Sequence, residues 1–293
     1  MRSIPVWMSI ACISTAVFAN EYVAEPELNA ARIIEKNVAA KGGLEAWRKI
    51  QSMVWIGHIE RAGAANLSYV LEQKRPHKTR FEIKVQNQTA VRIYDGTHGW
   101  KLRPASNGRP ELQPYTSEEL IFAQNGQGID GPLIDYQAKG IVVTLDGVDE
   151  IEGRKTYRLD VKLPSGISQH VWIDAQTFLD TKYDHQSRNA LGRAGTVTVF
   201  YRNYQTIDGL QIPLTIESGS GMAQSSARLT DKMVIDRVLL NPPLEDQSFA
   251  KPSVPGLRDA VSARGETPRS MLSQHTGFPK LNTRSVPGSA GGD

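Results

Sequence analysis

The sequence predicts a mainly β fold of the α+β class, built on a strongly curved antiparallel sheet. Apolar and polar residues alternate in many segments. In residues 80–85, for example, Phe81, Ile83 and Val85 alternate with charged side chains, as in a half-buried strand. Short turns rich in Gly, Asp and Asn join most of these segments, and such turns connect antiparallel neighbours. Strands do not alternate with long helices, which argues against a doubly wound parallel fold.

The first residues have the features of a secretory signal peptide. A short positive start precedes an apolar run over residues 4–18, and Val17 and Ala19 are small residues at the two positions that a signal peptidase reads. We therefore expect cleavage after Ala19, removal of residues 1–19 and a periplasmic mature protein. The alternative is a membrane anchor, which is disfavoured because the apolar run is short and lacks positive residues behind it.

The only cysteine, Cys12, lies inside this segment. Lipid modification of Cys12 is an alternative, but Ser9 and Ile10 fit a lipobox poorly and apolar sequence continues beyond the cysteine. After cleavage at Ala19 the mature chain contains no thiol. Disulfides, cysteine nucleophiles and thiolate metal sites are then excluded together.

Three short helices are predicted. In ELNAARIIEKNVAAKGG, apolar residues recur at helical spacing until Gly42 and Gly43 end the helix. A second short turn follows in LEAWRKIQS. Thr116 and Glu119 form a capping box that begins a third helix, which ends near Gly126. A helix inserted between strand runs usually crosses the sheet or covers its open side.

About a dozen strand-like runs lie on either side of the third helix. The runs before it are MVWIGHIE, LSYVLEQK, KTRFEIKVQ, QTAVRIYDG and GWKLRP. The runs after it are IVVTLDG, KTYRLDVKL, SQHVWID, FLDTKYDHQ, GTVTVFYRNY, LQIPLTIES and SARLTDKMVIDRVLL. No fixed-period repeat is present.

The alternation of residues within the strands predicts opposite directions for two tryptophan side chains. Trp55 shares one face with Met53, Gly57 and Ile59, so it is expected to point inward. Trp172 shares its face with His170 and Asp174 and is expected to point outward.

The chain is expected to form one domain over residues 20–252, followed by a disordered tail over residues 253–293. The tail is rich in Pro, Gly and Ser and has little periodicity. Its scattered basic residues suggest, as an alternative to a solvated tail, contact with an anionic surface.

The residues give little indication of catalysis. The six histidines are scattered without metal-binding spacing, and no Gly-x-Ser-x-Gly or phosphate-binding loop is present. The net charge is +3 and the basic residues are interspersed with acidic ones, which does not favour a nucleic-acid partner. We therefore expect no cofactor, no metal and no enzyme activity. An enzyme would require polar groups that converge in the fold.

So many strands with short connections cannot form a flat sheet. They curl, and more strands than about eight leave room inside. An apolar space under an apolar helix binds apolar ligands, because water there has few partners. A twisted sandwich with a filled core is the alternative that the strand periodicity leaves open.

The order of several segments resembles that of the LolA-like family of outer-membrane lipoprotein-sorting proteins. The matching pieces between residues 28 and 252 are AARIIEKNVAAKGGLEAWRKIQSM, VRIYDGTHGWKLRP, IDGPLIDYQAKGIVVTLDGVDEIEG, YRLDVKL, HVWIDAQTFL, YRNYQTIDGLQIPLTIES and VIDRVLLNPPLEDQSFAKP. The resemblance implies an unclosed β-barrel of about eleven strands whose helices form a lid over a cavity for acyl chains. It also implies a periplasmic carrier, or chaperone, without catalysis. A longer middle segment and the long tail depart from the family.

We therefore predict a periplasmic, monomeric carrier that shields acyl chains of lipoproteins or lipids during transport to the outer membrane. An inner-membrane donor and an outer-membrane recipient would be its partners. The alternative is an envelope lipid-sensing or structural module that transfers no cargo. Residue parity suggests ten residues that line the cavity: Trp55, Leu71, Phe81, Ile83, Val85, Tyr94, Leu120, Phe122, Leu159 and Val161.

Overall fold

The computed structural model describes residues 28–253, except for residues 62, 86–87, 105–109, 127, 189–193 and 223–227. The predicted signal peptide, with Cys12, and the predicted tail from residue 254 onward lie outside the described residues. The helices are α1 (Ala30–Ala40), α2 (Leu44–Arg48), α3 (Ser117–Gln124) and a short 3-10 helix (Asp246–Phe249). Among the described residues, no helix has both the length and the apolar character needed to cross a membrane.

The strands form one antiparallel sheet. Their bounds are β1 (Ser52–Glu60), β2 (Leu67–Lys74), β3 (Lys78–Val85), β4 (Gln88–Tyr94), β5 (Gly99–Pro104), β6 (Pro110–Pro114), β7 (Val142–Ile151), β8 (Arg154–Lys162), β9 (Ser168–Asp174), β10 (Asp180–Arg188), β11 (Ala194–Ile207), β12 (Leu210–Met222) and β13 (Arg228–Leu240). Their order across the sheet is β6-β5-β4-β3-β2-β1-β13-β12-β11-β10-β9-β8-β7. Strands β6 and β7 are the two edges and do not pair with each other, so the barrel is unclosed.

Helix α3 shows how strongly the sheet curves. Glu119 of α3 contacts Lys101 of β5, and Phe122, one helical turn later, contacts His185 of β10. These two strands are eight steps apart in the sheet order, which would be about 38 Å in a flat sheet. A helix of eight residues is only about 12 Å long. The sheet therefore curls, and α3 spans its open side.

Helix α1 is fastened to the concave face by buried polar contacts. Asn37 Nδ2 and Lys41 Nζ each donate to the Asp180 carboxylate at 2.9 Å. The side chains of Ile33 and Ile34 are buried in an apolar cluster with residues of β8 and β9. The helix thus covers the β7–β9 side of the concave face.

The chain after β13 returns over the opposite, convex face. Phe249 of the 3-10 helix is fully buried against Val91 and Ile93 of β4. Lys74 Nζ donates to the Leu244 carbonyl at 2.6 Å, which holds the segment against β2. The C-terminal part of the domain therefore covers the convex side of β4 and contacts the end of β2.

The predicted fold class is confirmed. All three predicted helices are present, and the capping box of α3 forms between Thr116 and Glu119. The resemblance implied about eleven strands, whereas the described residues form a sheet of 13. The strand that the sequence runs omit is β6, which begins and ends at a proline. Proline cannot donate to a ladder, so such a segment resembles a loop in sequence and is tolerated at an edge.

The close packing of the α1–α2 connection against the β11–β12 turn can be tested by substitution. Gly42 has a φ of +110°, and a Cβ there would lie 2.4 Å from the Gly209 carbonyl oxygen. We expect Gly42→Ala to lower the free energy of unfolding by about 2–4 kcal/mol, because backbone strain adds to the steric clash. Urea unfolding followed by tryptophan fluorescence measures this loss.

The adjacent glycine is the matched control. Gly43 also has a positive φ, of +90°, but a Cβ there would meet nothing within 4 Å. Gly43→Ala should therefore cost only the strain, about 1–2 kcal/mol. Equal losses in the two variants would contradict the close approach of the β11–β12 turn to Gly42.

Candidate functional site

The middle of the concave face is apolar and retains accessible surface. Val238, Trp55, Leu71 and Phe81 stand opposite one another in a row across β13, β1, β2 and β3. Each is only half-buried, although each packs against fully buried neighbours. The same holds for four further side chains of this face: Val85, Tyr183, Tyr201 and Leu214. We call these eight residues the concave lining.

Closed cores lie on two sides of the concave lining. On the β7–β9 side, α1 packs Ile33 and Ile34 against Leu159 and Val161, and all four are buried. At the start of β1 and β12, Trp47 of α2 is buried in a second cluster. The concave lining between them is not covered in this way, so the apolar interior is filled at its sides and accessible in its middle.

Aromatic rings connect the concave lining to α3. Tyr201 stacks on Tyr183 with ring centroids 6.2 Å apart, and Tyr183 stacks on His185 at 5.6 Å. The ring of Phe122 then lies 5.6 Å from that of His185. The helix thus rests on the end of a continuous row of rings along β11 and β10.

The pKa of the Tyr183 phenol is shifted by its position in this row. Burial raises its pKa to about 12, yet its side chain is only half-buried by surface area. Burial also raises the pKa of Tyr201, which is likewise half-buried. The surroundings of both phenols therefore disfavour the ionised form.

Helix α3 is held at one end by ion pairs. The Glu119 carboxylate accepts from Lys101 Nζ at 2.7 and 3.0 Å and from Arg92 Nη2 at 3.1 Å. It also accepts from the Thr116 backbone N–H at 2.8 Å, which completes the capping box. Lys101 is only 3% exposed. These contacts fix the start of α3 to β4 and β5.

The other end of α3 has weaker contacts. Phe122 is 39% exposed and Ile121 is 47% exposed, and the ring of Phe122 lies 5.6 Å from that of His185. An aromatic pair of this kind contributes about 0.5–1.5 kcal/mol beyond its buried area. The helix is therefore tethered by ion pairs at its start and exposes two large apolar side chains farther along.

The charge of Glu119 is stabilised despite its burial. Burial acts to raise the pKa of Glu119, but the hydrogen bonds from Lys101 and Thr116, together with the charge of Arg92, outweigh it, so the pKa lies below its usual value. Glu119 is therefore an anion at neutral pH, and the tether is ionic.

The ten predicted lining residues occupy three kinds of position. Trp55, Leu71, Phe81 and Val85 belong to the concave lining, and Leu120 and Phe122 lie on α3. Ile83, Tyr94, Leu159 and Val161 are fully buried by the protein's own side chains and present no surface to a ligand in this conformation. Contact between any of the ten and a lipid stays a prediction.

Four members of the concave lining were missed in the sequence: Tyr183, Tyr201, Leu214 and Val238. Parity within β10 and β11 provided a signal, since Tyr183 alternates with charged residues. Nothing in the sequence showed that β10 and β11 would face β1–β3 across the interior. That arrangement follows from the sheet order.

A pocket near the β7–β8 and β9–β10 turns borders the concave lining at Tyr201. It has a volume of about 320 Å³ and is bordered by the β7–β8 turn, the β9–β10 turn and β11. Its charged side chains are already paired, as in the contacts of Arg202 with Glu152 and Glu217 at 2.6 Å. In the part of the chain that the structure describes, no group of three His, Asp or Glu side chains is placed to hold a metal ion.

No protein-family model matches the chain, and no curated protein matches its sequence. Solved structures are similar. A LolA superfamily protein from Nitrosomonas europaea covers 76% of this chain and 98% of its own, at 15% identity and a TM-score of 0.49. A DUF1329 family protein from Desulfovibrio piger covers 75% and 96%, at 13% identity and a TM-score of 0.48.

A third solved structure, from Vibrio parahaemolyticus, is a domain described as an outer membrane lipoprotein-sorting protein. It covers 75% of this chain and 95% of its own, at 14% identity and a TM-score of 0.47. LolA-like and lipoprotein-sorting proteins are thus among the solved structures to which this chain is similar. At these identities and TM-scores the likeness carries no conclusion about ligand or partner, which must come from the residues of this chain.

The tether of α3 can be tested through pH. We expect Glu119→Gln to lower the free energy of unfolding at pH 7 by about 3 kcal/mol, because it leaves Lys101 buried without its anionic partner. A carboxyl group with a lowered pKa in the folded state stabilises above its unfolded pKa, and loses that contribution as the pH falls through the folded pKa. The difference between the variant and the parent protein should therefore shrink on acidification, as measured by urea unfolding over a pH series.

Glu118→Gln is the control for this variant. Glu118 is exposed in the same first turn of α3, so its removal should cost only about 0.3 kcal/mol of dipole interaction. A loss at Glu119 no larger than this, or one independent of pH, would show that the ion pairs do not hold the helix.

Proposed function

We propose that this protein binds acyl chains of lipoproteins or lipids against its concave lining, under α3, and carries them through the periplasm. One observation carries the proposal. Apolar side chains in the middle of a strongly curved sheet keep accessible surface, while both flanking cores are closed by the protein's own residues. An apolar surface that faces inward and is not covered by the protein is suited to an apolar ligand.

The energetics favour a hydrocarbon ligand. Each methylene group transferred from water to an apolar site contributes about 0.8 kcal/mol. Binding also buries apolar surface of the protein, since Trp55, Leu71 and Phe81 lose their remaining exposure when an acyl chain lies on them. Several methylene groups would therefore offset the cost of displacing the helix that covers the site.

Loading is proposed to occur at the weakly held end of α3. The ion pairs of Glu119 with Lys101 and Arg92 keep the start of the helix in place, while Phe122 leaves the His185 ring. Exposed Ile121 and Phe122 would then contact the membrane or the lipid that is taken up. The tether allows the helix to return once the chain is inside.

The cellular role follows from the predicted export of the chain. A periplasmic carrier would receive a lipid or lipoprotein at the inner membrane and deliver it to an outer-membrane recipient, acting as a chaperone for the acyl chains. Native mass spectrometry of the mature protein purified from its own periplasm tests the binding step. Adducts with the mass of acylated lipids or lipopeptides are expected, and a protein without adducts that also ignores an acyl-chain fluorescent probe would contradict the proposal.

Transfer is tested separately from binding. The loaded protein is mixed with vesicles of phosphatidylethanolamine and phosphatidylglycerol, and movement of a fluorescent lipid into them is followed. Transfer supports a carrier. Stable retention of the lipid would instead support the alternative of a sensing or structural module.

A charge on the concave lining should abolish binding. Leu71 lies in the middle of the row that joins β13 to β3, so Leu71→Asp places a carboxylate where hydrocarbon would lie. We expect affinity for an acyl-chain fluorophore to fall by at least tenfold, because burying an ion without a partner costs several kcal/mol. Fluorescence titration gives the affinity, and circular dichroism verifies that the sheet is retained.

Val70→Asp is the matched control. Val70 precedes Leu71 in β2, is also half-buried, and faces the convex side opposite Ile56 and Glu82. The same change of a branched aliphatic residue to Asp should leave the affinity within about twofold of the parent protein, since a charge on the solvated side leaves the ligand's surroundings unchanged. Equal losses in both variants would show that the effect comes from the fold and not from the lining.

A further inference from the structure

Two buried polar side chains lie next to each other on the concave face without partners. Gln169 of β9 and His185 of β10 are cross-strand neighbours, and they are 5% and 9% exposed. Gln169 Nε2 and both ring nitrogens of His185 have no hydrogen-bond partner. Each such group costs about 1–3 kcal/mol when it is removed from water and left unpaired, so the pair lowers the stability of the folded protein.

The neighbours of this pair are apolar. Val161 stands beside Gln169 in β8, and Val197 stands beside His185 in β11. Phe122 of α3 covers the His185 ring, and Tyr183 stacks against it at 5.6 Å. The pair is thus a small polar site at the end of the aromatic row nearest α3. It lies on the same concave face of the sheet as the concave lining.

The chemistry of the pair defines what it can bind. The amide of Gln169 offers N–H donors, and a neutral imidazole offers one donor and one acceptor. Burial lowers the pKa of His185, although Asp184 opposes this shift, so the ring is neutral at neutral pH. A neutral donor pair in apolar surroundings suits a carbonyl oxygen. It does not suit a phosphate, which would require a cationic partner.

We propose that Gln169 and His185 form a hydrogen-bonding site for the carbonyl oxygen of an acyl ester or acyl amide, at the polar end of the bound hydrocarbon chain. This inference rests on the proposed function, since it assigns the orientation of the same ligand. The chain lies along the concave lining, and its carbonyl group sits under Phe122. An ester group of a glycerolipid and the acylated terminus of a lipoprotein both present this carbonyl.

The test compares an ester with a matched ether. Dipalmitoylglycerol carries two ester carbonyls, whereas its dihexadecyl ether analogue has the same chain length and none. Affinities are measured by displacement of an acyl-chain fluorophore from the parent protein and from Gln169→Leu and His185→Phe. Each variant should bind the ester about two- to tenfold more weakly, as expected for one lost hydrogen bond, and the ether with unchanged affinity.

Stability separates a ligand site from a structural role. Replacing an unpaired buried polar group with an apolar one of similar size should leave the free energy of unfolding unchanged or increase it. A variant that loses stability and weakens ester and ether equally would overturn the inference. If His185→Phe fails to fold, Gln169→Leu decides the question alone.

Gln186→Leu is the control. Gln186 follows His185 in β10 but faces the convex side, where its amide donates to Thr196 Oγ1 at 3.3 Å. The ratio of ester to ether affinity in this variant should equal that of the parent protein. If the parent protein binds ester and ether equally, the pair makes no hydrogen bond to the ligand and is satisfied by buried water only. This result would overturn the inference and leave the proposed function intact. A parent protein that binds neither lipid would overturn the proposed function itself.

A lipopeptide distinguishes the two sources of the carbonyl. A synthetic peptide whose N-terminal cysteine carries a dipalmitoylglyceryl group is compared with dipalmitoylglycerol in the same displacement assay. Tighter binding of the peptide, lost in Gln169→Leu, assigns the site to acylated protein termini. Equal binding of the two, with the same dependence on Gln169, assigns it to the acyl ester they share.

Discussion

The curvature of the sheet is the constraint on which the rest of the structure depends. Because antiparallel strands are joined by short turns, 13 of them form one continuous ribbon, and the twist of so many strands prevents a flat arrangement. The ribbon curls until β5 and β10 both touch α3, yet its edges β6 and β7 stay unpaired. A curled sheet must either fill its inner face or leave it accessible. Here the chain fills the sides, with α1 and α2, and leaves the middle.

The position of the helices follows from the same geometry. Helix α1 is fixed by the buried contacts of Asn37 and Lys41 with Asp180, so it behaves as part of the wall. Helix α3 is joined to the sheet by ion pairs at its start, and nearer its end Phe122 makes an aromatic contact with His185. A buried ion pair resists separation because each charge would be left without a partner. An aromatic contact of modest energy offers much less resistance to separation. This difference is the reason why the proposed loading step begins at the end of α3 that carries Phe122.

Sequence periodicity was sufficient for every described strand except β6, and for the direction of many side chains. Trp55 packs on the concave lining, and Trp172 lies on the other face, where Lys182 Nζ sits 3.8 Å from its ring centre. Periodicity could not distinguish a covered position from an accessible one. Leu159 alternates as regularly as Leu71, but α1 packs over Leu159. The pairing of Lys101 with Glu119 was also hidden, since a charged residue within a strand indicates solvent until the fold places a partner above it.

The two histidines of the β9–β10 hairpin show how the faces differ in their treatment of polar groups. His170 faces the convex side, and its Nδ1 lies 3.0 Å from the carboxylate of Asp184. His185 follows Asp184 directly and so faces the concave side, where neither ring nitrogen has a partner. A sequence under selection for stability alone has no reason to keep an unpaired imidazole where Phe or Leu would pack. Local rules of this kind are broken mainly at functional sites. The contrast between neighbouring residues of this hairpin therefore places an unpaired polar pair, Gln169 and His185, on the inner face beneath α3.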